Sequence, residues 1–401
     1  MAKPGHAQHE QHMAGTAFPS FGSGTSWLPA ATPVRGFHFG ASGWQFMMHG
    51  SVFLQFVYES GPRGNYQLGS VNWLMADASH ALGSGLFRAR AMVSAEFLTL
   101  TGAGYPELLQ VAQPYKGTTL TDRMHPHELV SEASLTYEHP FSSGVRGQLY
   151  VAAVGEPALG PVAYLHRPSA TSDPIAPLGH HAQDVSHESF GVITAGLFSR
   201  QVHVEASMFN GAHPDEVRTN FDYENAALNS FSARITVNPS PLWSVAASGA
   251  YLPATGGAHA HDALDRWVFS LMHVVPRKEG VWATTLVWGA NVPIATGRFL
   301  HTALLETNFD LDARSALFGR LEYVTRTAEE LGLVGSVSDE QKLGAFAVGY
   351  ARRALALRGI EAWIGARGNV ELIGEELQPF YDTRTPAGIL VYAQLRAPVL
   401  N

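Results

Sequence analysis

The sequence predicts an all-β protein: a closed antiparallel up-and-down transmembrane β-barrel of about sixteen strands. Three observations predict it. Runs of roughly ten residues with period-two alternation recur along the whole chain. The breaks between them are alternately short and long, as expected for tight turns at one end of a barrel and longer loops at the other. In run after run the charged residues share one face and the apolar residues the other, so that charge can point to a water-filled interior and hydrocarbon to lipid.

Composition agrees. The chain has 401 residues, 40 of them Gly, no Cys, and only 15% charged side chains. A large β structure suits these values better than two or three globular domains. No apolar run reaches the roughly 18 residues of a membrane helix, so any crossing is made by strands. With 34 acidic against 26 basic residues the net charge is −8, and no basic block offers itself to phosphates. Nucleic acid is therefore excluded as a partner.

Taken in order, residues 1–33 are rich in Gly, Pro, Ser and His and read as a flexible N-terminal arm. His6, His9, His12 and Met13 lie close enough together to hold a soft or borderline ion loosely. The segment MAKPGHAQHEQHMAG has no apolar core of the kind an export signal needs, although the barrel, assigned to 34–401, is expected in a bacterial outer membrane. Strands are expected at 44–57, 67–78, 86–97, 130–139, 145–155, 187–199, 201–210 and 229–237. The second half continues with 242–251, 266–275, 281–290, 299–309, 315–326, 341–352, 358–370 and 387–398. The clearest unit is the hairpin Trp267 to Ala290, two β-rich runs around the polar break Pro276 to Gly280. In its second run Trp282, Thr284, Leu286 and Trp288 share one face, and Ala283, Thr285, Val287 and Gly289 the other.

Face assignment is sharpest where charges occur. Phe87, Ala89, Ala91 and Val93 oppose Arg88, Arg90, Ser94 and Glu96; Leu317, Leu321 and Tyr323 oppose Arg320 and Glu322. Ile360, Ala362, Ile364 and Ala366 oppose Glu361, Arg367 and Asn369. Arg88, Arg90, Arg320, Arg367 and Arg396 are thus expected to line the pore in a ladder with Glu96, Glu205, Glu306, Glu322 and Glu361. Trp44, Trp243, Trp267 and Trp282 stand near strand ends, where interfacial aromatics belong. His49, His203, His273 and His301 fall within strands and read as lumen or girdle residues. The chain ends Pro398, Val399, Leu400, Asn401, without the terminal aromatic residue common in such barrels.

The remaining histidines concentrate in the two longest loops. The first, 98–129, ends in TDRMHPHE, with Asp122, His125, His127 and Glu128; in an extended segment His125 and His127 share a side. The second, 156–186 with its flank, carries His166, His180, His181, Asp184 and His187, followed by Glu188. His180, Asp184 and His187 would share one face if that piece were helical. Imidazole and carboxylate suit zinc or cupric ion, so these nine residues from Asp122 to His187 are the candidate metal ligands. The competing reading is that they pack and hydrogen-bond a folded loop that constricts the pore. No cofactor is required in that case.

The stretches GTSWLPAATP (24–33), HPHE (125–128), GEPALGPVAYLHRPSA (155–170), PLGHHAQDVSHESFGVITAG (177–196) and FNGAHPDE (209–216) together resemble a family of bacterial outer-membrane barrels associated with copper and heavy-metal efflux systems. A looser similarity is to the barrel of copper-resistance protein B. The resemblance implies an outer-membrane location, a tie to metal tolerance, and efflux components as partners.

Function is expected to be porin-like: passage or binding of small polar solutes or metal ions, in contact with outer-membrane lipid, as a monomer or an oligomer. The alternative is a non-conducting metal-binding outer-membrane protein. A third reading, a membrane-embedded hydrolase pairing Ser186 or Ser189 with His187, has no nucleophile motif behind it.

Overall fold

The computed structural model describes residues 22–399 apart from 101–103, 112, 116–117, 125, 143, 213, 215–216, 224–226, 255–261 and 358. It is a closed barrel of 16 antiparallel strands. In chain order these are β1 (Trp44–Glu59), β2 (Tyr66–Leu82), β3 (Gly85–Val93), β4 (Val130–Ser142), β5 (Val145–Gly155), β6 (Ser189–Phe198), β7 (Val202–Phe209) and β8 (Ser230–Ser240). The ring continues with β9 (Trp243–Leu252), β10 (Leu264–Arg277), β11 (Gly280–Pro293), β12 (Leu300–Asp312), β13 (Ser315–Thr327), β14 (Glu340–Leu357), β15 (Ile360–Leu372) and β16 (Ala387–Arg396). Each pairs with the next, and β16 closes on β1 with Leu395 opposite Val52 and Ile389 opposite Tyr58. Each expected strand has its counterpart.

Boundaries differ in instructive places. The expected strand 86–97 stops at Val93, and Glu96 lies in a turn of 3-10 helix, Glu96–Leu98. A short strand, Phe37–Ala41, was not expected. It lies along Trp44–Met48 of β1, beyond the stretch that β16 covers, and fills the seam below it.

The hairpin β10–β11 turns at Lys278 and Glu279, with Arg277 opposite Gly280 and Phe269 opposite Trp288. Gly280, the first residue past the link, takes φ 121°, a conformation L side chains rarely adopt. Along β11 the side chains of Trp282 and Leu286 are exposed while Ala283, Thr285 and Val287 are buried. The same outward apolar series runs around the barrel, for example Val52, Leu54 and Phe56 on β1, Ile193 and Leu197 on β6, Phe346 and Val348 on β14, and Ile389, Val391 and Leu395 on β16. Exposed hydrocarbon on this scale would be insoluble around a water-bathed sheet and is what a lipid-facing wall requires. Exposed Trp267 and Trp282 lie toward opposite ends of their hairpin, and Trp243 stacks on His273 with ring centroids 3.8 Å apart.

The inward face carries the core. Long connections leave one end of the barrel, and two of them reach into it: 94–129, through its described residues 104–110, and 156–188. Wall residues Phe53, Val57, Val71, Phe318, Trp363 and Tyr392 pack with Tyr105, Tyr164 and Ile175 of these connections in one apolar cluster. Residues 22–29 join them. Assigned from composition to a flexible arm, they are instead buried against the barrel interior. Trp27 is 1% exposed and stacks on His203 of β7 at 4.9 Å, and its carbonyl accepts from Ser244 Oγ at 3.2 Å. Asn238 Nδ2 donates to the Leu28 carbonyl at 3.0 Å, and Ala163 N to Ser23 Oγ at 2.8 Å. Small and polar composition looks like a solvated tail until a surrounding wall supplies the partners. His6, His9, His12 and Met13 lie outside the described residues.

Candidate functional site

The segment 156–188 decides what the interior is. It holds Pro157, Pro161, Pro168, Pro174 and Pro177 and can form only short helical pieces: Tyr164–His166, Pro168–Ala170, His180–Gln183 and Val185–Glu188. None of its residues is exposed. Its unpaired backbone groups must find partners, and the wall provides them. Ser207 Oγ accepts from Ala158 N at 2.7 Å and Ser248 Oγ from Gly160 N at 2.9 Å. Arg320 Nη1 donates to the Ile175 carbonyl at 2.8 Å, Gln394 Nε2 to that of Thr171 at 3.0 Å, and Arg326 to that of Leu178. Gly289 of β11 permits a close approach, since a Cβ there would sit 2.5 Å from the Ala182 carbonyl oxygen.

Charge locks the segment at its centre. Arg167 is 1% exposed and reaches Asp184 at 2.8 Å and Glu306 of β12 at 3.2 Å; Arg320 of β13, directly across the sheet from Glu306, approaches the same carboxylate at 2.7 Å. Ser169 Oγ adds a bond to Glu306 at 2.8 Å. Asp173 meets Arg367 at 3.2 Å and Arg320 at 3.7 Å. Burial alone would raise the Asp184 carboxyl, but His180 and Arg167 beside it outweigh burial and hold it well below the usual carboxylate range.

Of the expected pore-lining residues, Arg90, Glu205, Glu306, Arg320 and Arg367 meet the chain inserted in the lumen, whereas Arg88, Glu361 and Arg396 pair with other wall residues and Glu96 lies off the wall. Arg396 pairs with Glu361 at 3.6 Å, and Arg320 with Glu322 at 3.9 Å. Other partners were not foreseen. Arg88 and Arg90 pair with Asp77 of β2 at 3.4 Å each, Glu205 with Arg234 at 2.9 Å, and Glu96 with His127 at 2.9 Å. Cross-strand partners depend on register, which alternation alone leaves open; Asp77, Glu132, Glu138, Glu156 and Arg234 were not named from the sequence.

The candidate metal ligands separate into two groups. Asp122 accepts from Leu109 N at 2.6 Å and Tyr381 OH at 2.9 Å and pairs with Arg63; Glu128 pairs with Arg218. His166 lies against Trp73, centroids 4.6 Å apart, and His181 offers its carbonyl to Asn291 Nδ2 at 3.3 Å. These are packing roles. His125 lies outside the described residues.

The second group converges. His127, at the end of one inserted connection, stands 5.5 Å from His187 of the other, centroid to centroid, and His180 lies 5.3 Å from His187. The helix proposed to align His180, Asp184 and His187 breaks at Asp184, whose φ is −145°. The fold still joins His180 Nδ1 to Asp184 at 2.6 Å. His127, His187 and Glu188 offer ligand atoms all within 4.8 Å of one another. Burial disfavours a charge on His127, yet Glu96 and Glu188 push its pKa up to about 9. Burial, aided by His180 and His127, holds His187 down to about 4. As for the hydrolase reading, Ser189 Oγ donates to the Ser186 carbonyl at 2.9 Å and His187 Nδ1 to the Asp184 carbonyl at 2.7 Å, so these bonds join neither serine hydroxyl to the ring.

No protein-family model matches the chain, and no curated protein matches its sequence. Solved structures do. An anion-selective porin from Comamonas acidovorans superposes with a TM-score of 0.53 at 11% identity, over 88% of this chain and 99% of that one. OmpF of Salmonella typhi, in complex with daunomycin, gives a TM-score of 0.53 at 9% identity, over 89% and 100% of the two chains. The barrel fold is that of these porins. At such identities the likeness extends to the fold alone.

Proposed function

We propose that this protein is an outer-membrane barrel of porin architecture whose lumen is held closed by its own segment 156–188, so that ions or small polar solutes pass only when that segment shifts. The observation that carries this reading is that no residue of 156–188 is exposed and most are buried inside the ring, with the segment anchored to β7, β9, β12, β13 and β16 by side chains. A standing diffusion pore would leave its inward arginines and glutamates facing water; here Glu306, Arg320 and Arg367 are spent on the inserted chain. The outward apolar series supports a place in lipid.

The test is planar-bilayer conductance of the purified barrel beside a variant in which 157–187 is replaced by a short Gly-Ser linker. The closed reading expects rare or no openings from the parent and a steady channel from the variant. A parent that conducts steadily overturns it. A second reading, a role in copper or heavy-metal tolerance, is favoured by the histidine cluster. Equal growth of parent and deletion strains on graded copper and zinc would remove it.

A further inference from the structure

We propose that His127, His187 and Glu188 bind one borderline divalent cation of the zinc class, and that this cation clamps the 94–129 connection to the inserted segment; the clamping role rests on the closed-lumen reading. His127 belongs to one connection and His187 and Glu188 to the other, so an ion held by all three joins them.

The geometry points to a ligand in three ways. Both rings are already oriented through Nδ1: His127 Nδ1 lies 2.9 Å from Glu96 Oε2, which also accepts from the His127 backbone N–H at 2.9 Å, and His187 Nδ1 lies 2.7 Å from the Asp184 carbonyl. Acceptors of this kind on the rear nitrogen fix the tautomer and leave Nε2 as the donor, as behind metal-bound histidines. His187 Nε2 and Glu188 Oε1 are buried and have no hydrogen-bond partner among the described residues. Such groups are uncommon in a folded chain, and a cation satisfies both. One ligand atom from each of the three residues lies within 4.8 Å of the other two. Ligands about 2.0–2.2 Å from zinc lie within about 3.5 Å of each other, so closure needs side-chain shifts on the order of an ångström.

Two imidazoles and one carboxylate are the wrong donors for calcium or magnesium, which take oxygen, and suit zinc with a fourth position left to water. Glu188 also borders a cavity of about 20 Å³, room for one water.

The test is calorimetric titration of the refolded full chain with zinc chloride, beside His127→Gln, His187→Gln and Glu188→Gln, with His273→Gln, which alters an outward ring on Trp243, as control. Histidines of residues 1–21 contribute equally to every protein, so the difference isolates the cluster. The expected result is a one-equivalent component in the parent and the control, weakened at least tenfold in each of the three. Glu188→Gln keeps the size of the side chain and is the decisive variant. An unchanged titration for that variant overturns the site and leaves the closed lumen standing; an intact site in a barrel that conducts steadily removes the clamp and the closed reading together. Zinc should also slow proteolysis within 156–188 in the parent and not in Glu188→Gln.

Discussion

Glu306 shows what a single residue does in this interior. It lies opposite Arg320 on the neighbouring strand, accepts from Ser169, and meets Arg167 of the inserted segment. Breaking a buried pair by removing one partner leaves uncompensated charge and costs about 3–5 kcal/mol, whereas replacing both partners by apolar residues costs far less. Glu306→Gln is therefore expected to lower the melting temperature of the detergent-solubilised barrel substantially, and Arg167→Leu with Glu306→Leu to recover part of the loss, since Arg320 keeps Asp173 and Glu322 and Asp184 keeps His180. Melting temperatures that simply add would show that the two residues do not interact. Asp184 sets the pH response of the segment. Its pKa is depressed in the folded state, so its contribution is present above the unfolded value near 4 and is lost only as pH falls through the still lower folded value. Burial also holds His187 of this segment down to about 4, so protection of 156–188 from an acid-active protease should weaken as pH falls from about 6 toward 4, while the Asp184 contribution persists to lower pH. An Asp184→Asn variant as well protected as the parent at pH 7 would contradict the Arg167–Asp184–His180 assignment.

At the scale of elements, the strands and the inserted segment are held by different physics, and only one of them was legible in advance. A strand between lipid and interior writes its environment into every second residue, so β11 and β13 could be read with their faces assigned. The inserted segment has no such local record. Its Pro, Ala, Gly and Ser residues read as an external loop, and their burial follows from a ring closed by distant parts of the chain. The same holds for Trp27, which sits in a stretch of loop composition and finds His203 only because β7 passes beside it. Of the candidate site, His127 and His187 were named from loop composition, but their meeting is a property of the fold, and Glu188 gained its place only from the coordinates. Gly289 offers a test confined to the segment. Its missing side chain is what lets the wall touch the Ala182 carbonyl, while its strand neighbours remain paired. Gly289→Leu should unseat the His180–Gln183 turn and expose 156–188 to protease in detergent, with the β circular dichroism retained. Unchanged protease resistance would place the segment elsewhere.

For the whole molecule, the ring supplies two surfaces with opposite requirements: an outer one that must be apolar to stay in lipid, and an inner one that must satisfy every polar group of the chain it encloses. Fixing the backbone of an inserted residue costs roughly 1–2 kcal/mol, so a segment without regular structure stays in place only through its accumulated bonds to the wall. On the proposed reading, an interior dense in arginine and glutamate serves closure, and the ring is a barrel that opens by moving its own contents. The most direct measurement is single-channel conductance of the intact protein across a potential ramp. The account predicts a baseline without steady current, and steady current once 157–187 is excised. Continuous porin-scale current from the intact protein would contradict it.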